Sequence, residues 1–136
     1  MTQWDPSLDG MAKVFDATVP GYVMTPVLGR SCQTVAASGA AKTVDVRTYG
    51  AAKITLTASC TLTVTGAISG QLWTLTLLLV QGGSGSYTVT WPTTTLWAAG
   101  SAPTLTTTVG GKDLVMLSTI DGGTTWYGRS GGLAFA

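Results

Sequence analysis

Histidine and glutamate do not occur in this chain of 136 residues, and six aspartates supply every acidic side chain. Without histidine there is no Ser-His-Asp triad and no side chain with an ordinary pKa near neutrality. Charge of both signs is scarce. Only 10% of residues are charged and the formal net charge is +1, against about 25% charged residues in an average soluble domain. Lys13, Arg30, Lys42, Arg47, Lys53, Lys112 and Arg129 are scattered, so the electrostatic footprint of a nucleic-acid binder is missing. Two cysteines without a histidine fall short of a zinc site, and Cys32 and Cys60 are expected to be reduced, buried small residues in a cytosolic product. No stretch offers the dense oxygen cluster that calcium needs, and no cofactor is expected. The best apolar run, residues 75–80, is too short to span a bilayer. The start, MTQWDPSLDG, is acidic and does not resemble a secretory leader. Neither a membrane nor a nucleic acid is an expected partner. Low charge also bears on assembly. A soluble monomer normally carries more charge to stay apart from its neighbours, so either other subunits cover much of this surface or threonine and serine solvate it.

Threonine is abundant, at 25 residues, and glycine reaches 18. Threonine is β-branched, loses side-chain freedom in helices and suits a pleated surface. The chain is therefore expected to be all-β, and its length allows one domain with a real core. From residue 42 the period is two. Val44 and Val46 share one face, as do Ile54 and Leu56, and Leu62 and Val64. Residues 71–80 read as a central strand, with Trp73, Leu75, Leu77 and Leu79 opposite Leu72, Thr74, Thr76, Leu78 and Val80. Both faces of its second half are apolar, which fits a strand covered on both sides. Residues 82–86 read as a hairpin loop, and Tyr87, Val89 and Trp91 as the inner face of the returning strand. Pro92 ends that strand because it has no N–H for a ladder. Residues 93–111 look irregular, with Leu96, Trp97 and Leu105 as anchors. A strand over 113–119, the hairpin turn Asp121-Gly122-Gly123 and a last strand over 124–129 complete about seven strands. The expected fold is an antiparallel β-sandwich or jelly-roll-like domain over residues 42–136.

Residues 1–41 lack a clear period and are broken by Pro6, Pro20 and Pro26, yet they are rich in apolar side chains. They are expected to form an extended N-terminal arm that docks on its own domain or on a neighbouring subunit. Trp4, Phe15, Tyr22, Val23 and Leu28 are its expected partner-binding residues.

Asp113 and Asp121 are the only acids that invite a catalytic reading, since a glycosidase needs two carboxylates flanking one bond and these could lie near one end of a hairpin. Turn chemistry accounts for Asp121 and a local hydrogen bond for Asp113, so no catalytic residue is expected. Trp91, Trp97 and Trp126 could line a glycan groove, although tryptophans in alternating strands more often pack in cores or interfaces.

An ordered set of motifs carries a resemblance. It comprises Trp91-Pro92, Trp97, Gly100-Ser101-Ala102-Pro103-Thr104-Leu105, Asp113-Leu114-Val115, and Asp121-Gly122-Gly123-Thr124-Thr125-Trp126-Tyr127-Gly128. From Leu77 onward the chain resembles a module of tailed-bacteriophage virion proteins, especially tail fibres and small head proteins. The resemblance implies a β-rich, usually trimeric virion component without catalytic residues. Fibres are long and carry shaft repeats, which this chain lacks, so it looks more like a capsid decoration (cement) protein on the virion surface, assembled in the host cytoplasm. The implied partners are the major capsid protein and two further copies of the chain. The alternative is a receptor-binding tail-fibre, head-fibre or baseplate module that recognises a host surface glycan.

Overall fold

The computed structural model describes residues 30–136. Nine strands follow one another: β1 (Cys32–Val35), β2 (Ala41–Asp45), β3 (Ala51–Leu56), β4 (Cys60–Thr65), β5 (Ser69–Gln81), β6 (Val89–Thr90), β7 (Thr95–Trp97), β8 (Lys112–Asp121) and β9 (Trp126–Phe135). One 3-10 turn, Ala98–Gly100, is the only helical element among the described residues. The fold is all-β. Its strands form a six-stranded sheet, in the order β1-β3-β5-β8-β9-β7, and a three-stranded sheet, β2-β4-β6.

Up to β6 the chain alternates between the two sheets, and each strand lies parallel to the one two before it. Parallel neighbours need a long crossover between them. Here the crossover from β1 to β3 is β2, lying in the other sheet, and β3 to β5 passes through β4 in the same way. Three successive turns are wound like a solenoid, each resting on the one before. Beyond β6 the habit changes. β8 runs antiparallel to β5, β9 returns antiparallel to β8, and the short β7 lies parallel to β9 at the sheet edge.

The antiparallel arrangement expected of the whole domain is thus confined to the β5–β8 and β8–β9 pairs; the other five pairings are parallel. The physical reason is that a period of two reports which face a side chain takes, not the direction of the neighbouring strand. Residues 82–86 do not close a hairpin. They carry the chain to the other sheet, where only Val89 and Thr90 pair, beside β4. Strand β1 falls inside the segment expected to be arm, so β structure begins ahead of residue 42. The expected arm residues Trp4, Phe15, Tyr22, Val23 and Leu28 lie outside the described residues.

Register explains the core. Val35 aligns with Ile54 and Ile54 with Leu79; Ala52 aligns with Leu77 and Leu77 with Val115. These columns point inward and meet Val44, Cys60 and Leu62 of the small sheet in one hydrophobic cluster. Each such side chain contributes about 1.5–3 kcal/mol by leaving water. The outer face of the small sheet is threonine: Thr43, Thr61, Thr63, Thr65 and Thr90 are exposed. Thr43 pairs with Thr63 and Thr61 with Thr90, so the residue that favours the strand also faces water, and its cross-strand pairs add to the sheet.

Two polar side chains hold the ends of this winding. Buried Gln81 donates from Nε2 to the Tyr87 carbonyl at 2.8 Å and accepts from the Tyr87 N–H at 3.0 Å, which fixes the β5–β6 crossover. At the opposite end Arg30 crosses Gly50, where an added Cβ would lie 2.5 Å from the Arg30 Cβ. Its guanidinium donates to the carbonyls of Thr74 (3.3 Å) and Val46 (3.1 Å) and lies 5.9 Å from the centroid of the Trp73 ring.

Candidate functional site

Asp113 and Asp121 sit at opposite ends of one strand, β8. At about 3.3 Å per residue, eight residues separate them by roughly 26 Å, far beyond the ~5–9.5 Å of a glycosidase pair. The expectation that both could lie near one end of a hairpin is therefore corrected. Only Asp121 borders the turn, because β8 runs unbroken from Lys112 to Asp121.

Both carboxylates are occupied by backbone and threonine donors. Asp113 is 1% exposed. Its Oδ2 accepts from the Thr106 N–H at 2.7 Å, and its Oδ1 accepts from Thr106 Oγ1 (2.7 Å) and from the Ala134 N–H (2.9 Å). It thereby ties the stretch before β8 to the end of β9. Ala134 has a φ of 58°, a left-handed conformation costly for a residue with a Cβ, and the Asp113 bond holds it there. Asp121 accepts from the Thr125 N–H at 2.9 Å and from Thr119 Oγ1 at 2.8 Å. These bonds, the Thr125 backbone donor foremost, hold its carboxyl below the usual range. Gly122 and Gly123 take φ values of 75° and 87°, as the expected tight turn requires.

Among the described residues no three His, Cys, Asp or Glu side chains gather to hold a metal ion. Both cysteines are free thiols. Cys60 is buried as expected, and burial pushes its thiol up, opposed by a hydrogen bond with Ser38 and the charge of Lys42. Cys32 is exposed on edge strand β1, contrary to the expectation of burial. The expectation rested on residue type, and an edge position overrides it.

The three tryptophans proposed for a glycan groove part company. Trp126 is 2% exposed and belongs to the core, so it offers no face to a ligand. Trp91 and Trp97 pack edge-to-face with ring centroids 5.0 Å apart. Trp97 also covers Gly128, where an added Cβ would meet its ring at 2.6 Å. One ring of the pair is thus clamped between a glycine and its partner. Trp91 retains surface in a groove of about 260 Å³, lined also by Tyr87, Val89, Pro103 and Leu105.

A second surface was not singled out from sequence. On the outer face of the large sheet, Thr74 of β5 aligns with Ser118 of β8, Ser118 with Tyr127 of β9, and Tyr127 with Leu96 of β7. Leu72 and Ile120 occupy the same face nearer the Asp121 turn. Leu72 (70% exposed), Ile120 (59%), Leu96 (58%) and Tyr127 (52%) all face solvent. Alternation did place Leu72 opposite the core face. What it lacked was the register that brings residues from β7, β8 and β9 beside it. At Leu72, in the first half of the central strand, no described residue covers this face; in the second half, where cover on both sides is expected, Leu78 and Val80 are half-buried. No protein-family model, curated protein or solved structure matches this chain.

Proposed function

We propose that this chain is a non-enzymatic structural component of a tailed-phage virion, a capsid decoration protein that binds the major capsid shell as a homotrimer. The observation that carries the reading is how its phage-like motif residues are employed. Asp113 locks two backbone segments, Asp121 and its glycines form a turn, Trp126 fills the core, and Trp97 packs on Gly128. Each of these serves architecture. Two sheets facing each other across one core supply the sandwich-type body such a component needs. Low charge and an apolar outer face favour assembly over independent diffusion. Function would then follow from linkage, since a protein that binds only the expanded shell stabilises that shell by its binding free energy. Mass spectrometry of purified virions tests this. Hundreds of copies per particle are expected, whereas a handful would remove the decoration role.

One observation favours a second reading, an adhesive fibre or baseplate module for a host surface glycan. Trp91 and Tyr87 flank an open groove, and an aromatic face of this kind stacks on sugar rings. A glycan array with the isolated protein separates the readings. Binding that disappears in Trp91→Ala supports adhesion, and no binding to any glycan rejects it.

A further inference from the structure

We infer that the outer face of the six-stranded sheet packs against a second copy of this chain, with Leu72, Leu96, Ile120 and Tyr127 at the centre of the contact. The inference deepens the self-assembly in the proposed function, but it is argued from the sheet alone and does not need the virion assignment.

Register sets Leu96 beside Tyr127 and Tyr127 beside Ser118, and alternation from the Thr74–Ser118 pair puts Leu72 and Ile120 on the same face, so four strands contribute to it. All are at least half exposed, and the residues between them, Thr74 and Ser118, are uncharged and share a hydroxyl contact of 3.3 Å. The cations on this face border that centre or lie beyond it, and Arg129 lines the same cleft as Leu96, Ser118 and Tyr127. Arg129 aligns with Met116 one row on, and Lys53 and Lys112 align with Leu78 and Val80 further along. An apolar centre with charge at the margin is the usual anatomy of a protein contact.

The face also has adequate size. β5, β8 and β9 run about 30 Å or more and together span about 15 Å, and three-residue β7 adds a short edge, so the face presents about 500 Å² in projection, over half of the ~800 Å² per partner of a standard interface. A copy of the same chain is the occupant that the composition favours. With a net charge of +1 and 10% charged residues, little electrostatic repulsion keeps copies apart. The opposite outer face, of the small sheet, is threonine-covered and makes no comparable demand for cover.

Sedimentation of the full chain over a range of concentrations tests this, comparing wild type with Ile120→Lys, with Tyr127→Asp, and with Thr63→Lys as a control on the threonine face. The proposal expects wild type to self-associate, each outer-face variant to weaken association at least tenfold with an unchanged circular dichroism spectrum, and the control to behave as wild type. A wild type that stays monomeric at its highest soluble concentration overturns the proposal, as does association unaffected by both outer-face variants. A dimer broken by Ile120→Lys would uphold this contact while removing the trimer from the proposed function. A trimer insensitive to it would do the reverse.

Discussion

The two halves of this molecule solve the same problem by different means. In the wound half, β1 to β6, like residues stack on like: Val35, Ile54 and Leu79 form one inward column and threonines pair outside. Cohesion there is spread over many equivalent contacts. In the closing half, β7 to β9, a few side chains act alone: Asp113 holds Thr106 and Ala134, Asp121 holds its turn, and Trp97 covers Gly128. Inside the stack each turn is templated by the previous one, and the single polar side chains Gln81 and Arg30 act at its ends. The strand that ends it has no further turn to rest on, and specific polar bonds take over. Apolar truncation should therefore damage the first half most, and loss of single polar groups the second.

The largest effect is expected at Asp113. Asp113→Ala removes one buried acceptor serving three donors and leaves the N–H groups of Thr106 and Ala134 without it, at an expected cost of about 3–4 kcal/mol. Asp113→Asn keeps a carbonyl oxygen and should lose about half as much. Urea unfolding measures both, and a loss below about 1 kcal/mol in the alanine variant would break the contrast between the halves. In the wound half, Ile54→Ala should cost about 3 kcal/mol and Ile54→Val about 1, because Ile54 is fully enclosed between Val35 and Leu79.

How much of this was legible follows from the same contrast. Strand β4 was readable to its ends, because Cys60, Leu62 and Val64 alternate with threonines that face water. The Asp121 turn was readable because two successive glycines permit positive φ. The winding was not, since a stacked parallel turn and an antiparallel meander share the same period. β1 escaped notice because Cys-Gln-Thr-Val has one strongly apolar residue, and it is a strand only by pairing with β3. β7 was hidden between Pro92 and Pro103 and exists by pairing with β9. The role of Asp113 depends on Ala134, 21 residues away, and no local pattern links them. The fold class and inner faces were therefore local properties, while direction, edges and the outer apolar surface depended on register.

Glycines sharpen the comparison with smaller effects. Gly128→Ala drives a methyl group into the Trp97 ring and should cost about 2 kcal/mol, the usual price of overpacking. Gly39, in the β1–β2 crossover, meets nothing within 4 Å but has a φ of 61°, so Gly39→Ala should cost about 1 kcal/mol through backbone strain alone. A smaller ring in Trp97→Phe should recover part of the first loss and none of the second. Equal recovery in both, read by thermal unfolding of the double variants, would mean that Trp97 does not act through Gly128.

The smallest effect is expected at Asp121 and appears only in acid. Hydrogen bonds from the Thr125 N–H and the Thr119 hydroxyl favour the carboxylate and lower its folded pKa. An unfolded aspartate titrates near pH 3.9. A depressed folded pKa means that the unfolded chain takes up the proton first as pH falls. The contribution of Asp121 is therefore whole above that unfolded value and is lost as pH drops through the folded one. Asp121→Asn keeps an acceptor for Thr125 but cannot titrate. The urea midpoint of wild type should accordingly fall more steeply below about pH 4 than that of the variant, while the gap between them stays constant at neutral pH. All other side chains are common to both proteins and cancel in the difference. Amide exchange gives the local reading: acid should open the Thr125 N–H in wild type relative to the variant, while amides of the β3–β5 pair remain unchanged. If those amides open together with Thr125, the turn and the stack form a single cooperative unit, and the two halves differ in how they are built but not in how they come apart.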